Sequence, residues 1–209
     1  MKKIQIAIYM LTACLAVNTA SAQQEGILKL RLDYSPGIPL GSFKTDAVNQ
    51  TAWRGYSGDL MYYINDRWAV GGATGFQDFY QQYPRQVYKG ADGSDISAVL
   101  TNSIQAVPVM AKGQFSILPG THTVKPYVAL GVGGNFITYR QFMGEYDDDK
   151  TSVGFAAAPE VGVNIAFGPW PSSAGLNIGA AYNYMPFNYG GISNLNNLAL
   201  RLGVNIPFR

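Results

Sequence analysis

The feature that most constrains this chain is a two-residue alternation of apolar and polar side chains. At 28–35 each apolar residue is followed by a charged or polar one, in the order Leu28, Lys29, Leu30, Arg31, Leu32, Asp33, Tyr34 and Ser35. Successive side chains of a β-strand point to opposite faces of the sheet. The alternation therefore predicts a strand with one apolar face and one polar face.

Eight strand-like segments of this kind recur along the chain, separated by clusters of Gly, Pro, Asn and Asp: 27–35, 53–64, 68–79, 99–117, 124–139, 153–167, 175–187 and 196–208. Each reaches the ~9–11 residues that a tilted strand needs to cross a bilayer. Short connections at 65–67, 118–123 and 168–174 alternate with longer polar ones at 36–52, 80–98, 140–152 and 188–195. This order predicts an all-β, eight-stranded antiparallel up-and-down barrel with one elaborated rim.

The composition of the polar faces indicates which side of the barrel meets lipid. In the last three segments the polar face carries Gly, Ala and Asn with few charges, and only 13% of the whole chain is charged, against roughly 25% in a soluble domain. A soluble, lipocalin-like barrel has a strongly polar outer surface, whereas a narrow lumen accepts small side chains. The pattern therefore favours a transmembrane β-barrel over a lipocalin-like binder.

Residues 1–22 are typical of a secretory signal peptide, with Lys2 and Lys3 before an apolar stretch and Ala20-Ser21-Ala22 as a cleavage site. Cys14, the only cysteine, also fits a lipobox, so its lipidation stays an alternative. Cleavage lowers the 15 basic residues to 13, equal to the 13 acidic ones, and leaves a barrel domain at 23–209 without disulfides. A neutral chain without a basic tract argues against a nucleic-acid partner.

Aromatic and proline residues give two further expectations. Eight aromatic residues near strand ends are predicted to form girdles at the membrane interfaces: Tyr62, Tyr63, Trp68, Tyr127, Tyr139, Trp170, Tyr182 and Tyr184. Pro108 and Pro159 lie inside predicted strands and lack the backbone N–H of the ladder. Local bulges are expected at both prolines, or strand boundaries that differ from the predicted ones there.

Two motifs and the last strand resemble a known family. The segments 125–134 (KPYVALGVGG) and 159–164 (PEVGVN), with a final alternating strand that ends at Phe208 before Arg209, resemble small eight-stranded outer-membrane β-barrels of Gram-negative bacteria, the OmpA/OmpX-like and porin-family domains. The resemblance covers essentially the whole chain after the leader. It implies outer-membrane lipid and lipopolysaccharide as surroundings and Phe208 as an assembly signal for the barrel-insertion machinery.

The polar faces place seven charged residues in the predicted lumen: Lys29, Arg31, Asp33, Asp59, Lys112, Glu160 and Arg201. A charge in a narrow lumen is costly unless it is paired, so a salt-bridge network that plugs the interior is expected. The first and last strands are neighbours in a closed barrel, which predicts that Arg201 reaches Asp33. A gated polar pathway is the functional alternative. No cofactor or metal is expected.

Three other features are candidate catalytic, metal-binding or partner-binding sites. His122, the single histidine, falls in a short turn on the predicted periplasmic side, the wrong rim for a lipid-modifying enzyme. The acidic run at 145–149 lacks the spacing of an EF-hand, which favours a solvated loop tip over a Ca²⁺ site. Tyr80, Tyr83 and Tyr88, among Gln81, Gln82, Arg85 and Lys89, are candidates for binding a glycan or a protein.

The sequence therefore predicts a monomeric, non-enzymatic outer-membrane barrel with periplasmic termini, a packed polar lumen and extracellular loops with structural or partner-binding roles. A narrow porin-like channel for small solutes is the main alternative. A lipid-modifying enzyme and a soluble lipocalin-like binder are less favoured. Fold alone does not choose between these functions, because this barrel class hosts several of them.

Overall fold

A computed structural model describes residues 26–89, 95–119, 122–143, 146–189 and 192–208. The predicted leader at 1–22, with Cys14, lies outside the described residues and stays a prediction. In chain order the elements are β1 (Ile27–Tyr34), β2 (Gly37–Pro39), α1 (Ser42–Asp46), β3 (Arg54–Tyr63), β4 (Trp68–Gln82), β5 (Gln86–Lys89), β6 (Asp95–Ala98), β7 (Leu100–Ser116), β8 (Val124–Met143), β9 (Tyr146–Ala166), β10 (Gly175–Asn183), β11 (Pro186–Tyr189), β12 (Ile192–Asn194) and β13 (Asn197–Phe208).

Eight of these strands form a closed antiparallel ring in the order β1, β3, β4, β7, β8, β9, β10 and β13. The ring closes where β13 pairs with β1, from Leu28 opposite Phe208 to Tyr34 opposite Leu202. The short β2 continues along β13 in the same register, with Gly37 opposite Ala199. The predicted all-β, eight-stranded barrel is confirmed.

We call the end of the barrel with the long connections the loop side and the opposite end the turn side. The strand ends differ most from the prediction on the loop side. The predicted loop at 140–152 is wrong, because β8 runs to Met143 and β9 starts at Tyr146, with Arg140 opposite Asp149. Beyond the membrane a pair of strands can continue its backbone hydrogen bonds in water without an apolar face. The polar sequence at 140–152 therefore did not indicate that it forms strands. The other connections contain the hairpins β5–β6 and β11–β12.

The first long connection folds into the mouth of the barrel. Gly41 has a φ of 59°, in the left-handed region that glycine adopts without steric cost, and α1 follows it directly. Phe43, Ala47 and Val48 are completely buried. No helix in the described ranges is long and apolar enough to cross a membrane. The connection predicted as a polar loop therefore supplies apolar packing inside the barrel.

The two prolines do not produce the expected bulges. Between β4 and β7 the register is the same on both sides of Pro108, with Thr74 opposite Val109 and Gln77 opposite Ala106. Pro159 lies opposite Leu130 in an unshifted ladder between β8 and β9. Each proline instead marks a short interruption of one neighbouring ladder, since its nitrogen carries no hydrogen to donate.

The outer wall carries the apolar face of every strand. Along β9 and the residue that follows it, this face runs from Val153 to Phe167, and it is polar at Thr151 and Asp149. At ~3.3 Å per residue and a tilt of ~40°, this band is roughly 35 Å tall, close to the ~30 Å of a hydrocarbon core. The leucine-rich stripe of β1 also faces outward, with Leu32 47% exposed.

The predicted aromatic girdle is half wrong. Tyr62, Trp68, Tyr182 and Tyr184 are exposed on the outer wall, whereas Tyr63, Tyr127, Tyr139 and Trp170 are buried inside. Tyr63, Tyr127 and Tyr139 occupy strand positions whose side chains point into the barrel. Tyr63, for example, is next to Tyr62, whose side chain points outward. Trp170 lies in a short connection and folds into the lumen. Aromatic side chains with a polar tip are thus used on both faces of this barrel.

Candidate functional site in the barrel lumen

The barrel interior is filled in three layers. The turn-side layer is built around Tyr63 and Trp170, the central layer is charged, and the loop-side layer is mainly apolar. All seven charged residues assigned to the lumen from sequence are buried there, with exposures of 5% or less. Five of them meet in the central layer: Arg31 of β1, Asp59 of β3, Lys112 of β7, Glu160 of β9 and Arg201 of β13.

Glu160 is the carboxylate of this central cluster with more partners than Asp59. Its Oε1 accepts hydrogen bonds from Arg31 Nη1 at 3.1 Å and from the Tyr127 hydroxyl at 2.6 Å. Its Oε2 lies 2.6 Å from Lys112 Nζ and 3.0 Å from Arg201 Nη1. Both oxygens of a fully buried carboxylate are therefore matched by charged donors, as a low-dielectric site requires.

Asp59 is the second carboxylate of the cluster and shares all three cations. Its Oδ2 lies 2.5 Å from Lys112 Nζ, 3.4 Å from Arg31 Nη1 and 3.4 Å from Arg201 Nη1. Arg31 is anchored further by polar neighbours, donating from Nη2 to Gln114 at 2.7 Å and from Nε to Asn205 at 3.1 Å. The ion pairs thus link strands on opposite sides of the barrel.

The structure does not bring Arg201 to Asp33, so that expectation is wrong. Gly203, and not Arg201, lies opposite Asp33 in the β1–β13 ladder, and the Arg201 guanidinium turns toward Asp59 and Glu160. Asp33 Oδ1 accepts a hydrogen bond from Asn177 at 3.0 Å, while its Oδ2 is buried without a partner. Asp33 lies beside the central cluster. The three cations and two carboxylates of the cluster have a net charge of one positive unit, and the Asp33 carboxylate offsets it.

Lys29 lies in the turn-side layer, away from the ion pairs. Its Nζ sits 3.8 Å from the centre of the Trp170 ring and donates to the Ser173 carbonyl at 2.9 Å. The Tyr63 and Trp170 rings pack edge to face with their centres 5.2 Å apart. A cation on an aromatic face is stabilised by the ring quadrupole. Lys29 and these rings therefore fill the turn-side end of the lumen.

The loop-side layer was missed by the sequence reasoning. Apolar residues of the strands meet apolar residues of the connections there, among them Phe43, Phe79, Ile104, Ile137, Met185 and Ile192. Phe43 packs edge to face on Phe79 at 4.9 Å. Apolar residues at inward positions, such as Ile104 and Ile137, and apolar residues within the 36–52 connection were the available signals.

Two glycines make room for the Tyr127 side chain at the edge of the cluster. Gly162 and Gly179 are paired across β9 and β10, and Gly162 also lies opposite Tyr127. A Cβ on Gly162 would stand 2.6 Å from the Tyr127 hydroxyl oxygen and 2.7 Å from a backbone oxygen. The lumen therefore requires small residues at this position, as its predicted composition implies.

Gly162→Val is expected to lower the free energy of unfolding by about 1–3 kcal/mol, because the added side chain overlaps Tyr127 and backbone. Urea titration of the folded protein in lipid vesicles measures this. The matched control is Gly113→Val, since a Cβ on Gly113 meets nothing within 4 Å. Equal stability of the two variants would contradict tight packing around Tyr127.

The other sequence candidates lie outside this cluster. His122 is exposed in the short connection on the turn side. Part of the acidic run at 145–149 lies outside the described residues, and Asp149 is exposed on β9. Among the described residues there is no group of three or more His, Cys, Asp or Glu side chains that could hold a metal ion.

Comparison with known proteins agrees with this architecture. The family described as "Outer membrane protein beta-barrel domain" matches residues 7–208. The protein therefore belongs to the outer-membrane β-barrel family. No curated protein matches the chain significantly.

Solved structures of the same barrel type are similar at low sequence identity. OprG from Pseudomonas aeruginosa is 15% identical, with a TM-score of 0.52 over 90% of this chain and 98% of that one. The N-terminal barrel of OprF from the same organism is 11% identical, with a TM-score of 0.48 over 88% and 98%. Ail of Yersinia pestis is 16% identical, with a TM-score of 0.47 over 88% and 100%. At these identities the likeness concerns the fold.

Proposed function

We propose that this outer-membrane barrel is a non-enzymatic, monomeric protein with a closed lumen, whose roles are structural or partner-binding on its loop side. The observation that carries the proposal is that buried aromatic, charged and apolar side chains of the described residues occupy successive levels of the interior. An eight-stranded barrel is just wide enough for side chains to fill it. Here the ion pairs reach across the lumen, so a solute pathway requires them to separate.

Separating these ion pairs is energetically costly. Arg31, Asp59 and Glu160 have exposures of 2% or less. Breaking a buried pair leaves an uncompensated charge at a cost of several kcal/mol. The gated polar pathway is therefore less favoured than the plug, and the narrow channel remains the alternative for experiment to decide.

The proposed orientation places both chain ends in the periplasm and the loop side outside the cell. Leu28 and Phe208 pair at the turn side, where the connections are short. The long β8–β9 hairpin continues past the apolar band at the opposite end. Phe208 is the last described residue of β13 and is 46% exposed on the outer wall, accessible for the insertion machinery that we propose reads it.

The absence of an enzymatic role is also part of the proposal. The lumen cluster consists of carboxylates and cations that pair with one another and contains no activated nucleophile, and His122 lies on the turn side, away from the loops. A lipid-modifying reaction needs a base near a nucleophile and an acid. Unchanged lipid A mass spectra after deletion of the gene are expected; altered acylation would contradict this part of the proposal.

Bilayer conductance tests the closed lumen. The purified protein, reconstituted in planar bilayers, is expected to give no current above the lipid background. Folding is verified separately by heat-modifiable migration in detergent gels. Discrete channels whose conductance changes in Arg31→Ala would contradict the plug and establish the narrow channel instead.

A further inference from the structure

A second candidate site lies on the outer wall of the barrel, outside the lumen. It is a cleft of about 460 Å³ on the loop side, between the segment that enters β3 and the far end of β4. The residues that matter for its chemistry are Gln50, Thr51, Trp53, Arg54, Asp78 and Tyr80. This volume is within the range of small-ligand sites, ~300–1,000 Å³.

The backbone that shapes the cleft is held in place. Ala52 exchanges two backbone hydrogen bonds with Gly37, at 2.8 and 2.9 Å. The Tyr34 hydroxyl donates to the Trp53 carbonyl at 2.7 Å. Arg54 and Asp78 lie directly opposite each other in the β3–β4 ladder. One side of the cleft is therefore a connection that is tied to β1 and β2 by hydrogen bonds, and the other side is formed by β3 and β4.

Two aromatic side chains flank the cleft and are open to a ligand. Trp53 is 69% exposed and Tyr80 is 50% exposed. Leaving aromatic surface in water is unfavourable, and a Trp or Tyr ring offers both an apolar face and a polar edge. These residues lie beyond Tyr56, whose ring packs edge to face on Tyr34 at the edge of the apolar band. The cleft thus lies at or above the level of the lipid headgroups.

The polar groups of the cleft balance in charge and are incompletely used. Arg54 Nη1 lies 3.7 Å from Asp78 Oδ2, and the Arg54 side chain is 80% exposed. The other oxygen, Asp78 Oδ1, is buried without a hydrogen-bond partner. The Asp78 side chain keeps 11% of its surface exposed and its contact with Arg54 is long, so a ligand hydroxyl that donates to Asp78 Oδ2 gains a charge-assisted hydrogen bond.

We propose that this cleft binds an uncharged sugar ring of a glycan. The apolar face of a pyranose packs on Trp53 or Tyr80, its hydroxyls donate to Asp78 and accept from Arg54, and the amides and hydroxyls of Gln50 and Thr51 serve either role. Two other ligand classes fit less well. A phosphate or sulfate is repelled by the Asp78 carboxylate. An acyl chain removes the charged Arg54–Asp78 pair from water without offering it hydrogen bonds. A neutral, hydroxyl-rich ligand matches both the acceptor Asp78 and the donor Arg54.

The sugar can come from the carbohydrate of lipopolysaccharide in the same membrane or from a glycan of another surface. Both present the same ring chemistry to the cleft. The inference deepens the proposed partner binding on the loop side, and it rests on that side facing outward. It is independent of whether the lumen conducts.

Saturation-transfer NMR on the protein in detergent micelles tests the proposal, with a panel of uncharged oligosaccharides and, as a separate arm, purified lipopolysaccharide core oligosaccharide. We expect transfer to at least one uncharged sugar ring in one of the two arms. The arm that binds identifies the source. No transfer in either arm would overturn the proposal.

Variants locate the binding. Asp78→Ala and Trp53→Ala are each expected to weaken it by about tenfold or more, the loss typical of one charged hydrogen bond or one stacked ring. Trp68→Ala is the matched control, because Trp68 is also an exposed tryptophan, at 52% against 69% for Trp53, and lies at the turn-side rim. Gel migration verifies that each variant is folded.

Binding that is unchanged in Trp53→Ala and Asp78→Ala would overturn the assignment of the cleft. Preference for a sulfated oligosaccharide over its uncharged counterpart would also overturn it. Bilayer conductance of the same preparations separates the two proposals, since a closed lumen with no sugar binding refutes this inference alone, and a conducting barrel that binds sugar refutes the plug alone.

Discussion

Replacing Glu160 by glutamine is expected to lower the free energy of unfolding by about 3–5 kcal/mol, the usual cost of removing one partner from a buried ion pair. Glu160 contacts Arg31, Lys112 and Arg201. Without its charge, three buried cations share the single carboxylate of Asp59. Urea titration in lipid vesicles, followed by tryptophan fluorescence, measures the loss.

Two further variants separate charge balance from other effects of the substitution. Asp149→Asn removes an exposed carboxylate from the same strand and is expected to change stability by less than about 0.5 kcal/mol. Adding Lys112→Met to Glu160→Gln restores the original net charge of the cluster, and the double variant is expected to be more stable than Glu160→Gln alone. If Glu160→Gln costs no more than Asp149→Asn, the central cluster does not hold the barrel together.

Leu30→Arg is expected to cost about 2–4 kcal/mol, because it places a cation on the lipid face near the bilayer midplane. In the ladders of β1 and β3, Leu28 lies opposite Tyr62 and Tyr34 lies opposite Tyr56, so Leu30 falls between two aromatic levels. Val163→Lys on β9 is expected to have a similar effect. The same vesicle titration measures both.

The control uses the fact that the cost of a charged side chain on the lipid face falls with its distance from the bilayer midplane. Val153 is an outward residue at the loop-side edge of the apolar band, and Val153→Arg is expected to cost only ~0–1 kcal/mol. A hydrated outer wall would tolerate Leu30→Arg as well as it tolerates Val153→Arg. That outcome would contradict the assignment of the leucine-rich stripe to lipid.

The strands that cross the apolar band were predictable from sequence because lipid and lumen impose opposite demands on alternate residues. The stripe of β1 and the last strand show this most clearly, since their apolar positions face outward and their polar positions face inward. Beyond the band, water contacts both faces and the alternation ends. The strands at 140–143 and 146–152 and the two added hairpins were therefore invisible to the same pattern.

For the lumen, the two-residue alternation along each strand predicted which side chains point inward. It did not predict which of these side chains pair with one another. Arg31, Lys112 and Glu160 were placed inside correctly by alternation alone. The partner of Arg201 depends on the stagger between strands, which fixes Gly203 and not Arg201 opposite Asp33. Tyr127 was assigned to the membrane interface because a tyrosine suits that environment too, yet its hydroxyl contacts Glu160 in the structure.

The loop-side apolar layer depends on long-range packing that no local pattern reports. Phe43 and Val48 come from a connection, and they bury against strand residues far along the chain. The outer cleft is similar, because Trp53 and Tyr80 become neighbours only through the β3–β4 pairing. Their sequence separation gave no sign that they share a site.

Cysteine labelling in lipid vesicles tests the central assignment of faces most directly. Single cysteines on β13 are suitable, since Cys14 is the only cysteine of the chain and lies in the predicted leader. Leu200→Cys and Leu202→Cys are expected to react with a lipid-soluble maleimide, while Ala199→Cys and Asn205→Cys are protected until the barrel unfolds. Protection of the leucine positions together with rapid labelling of Ala199→Cys and Asn205→Cys would contradict the account.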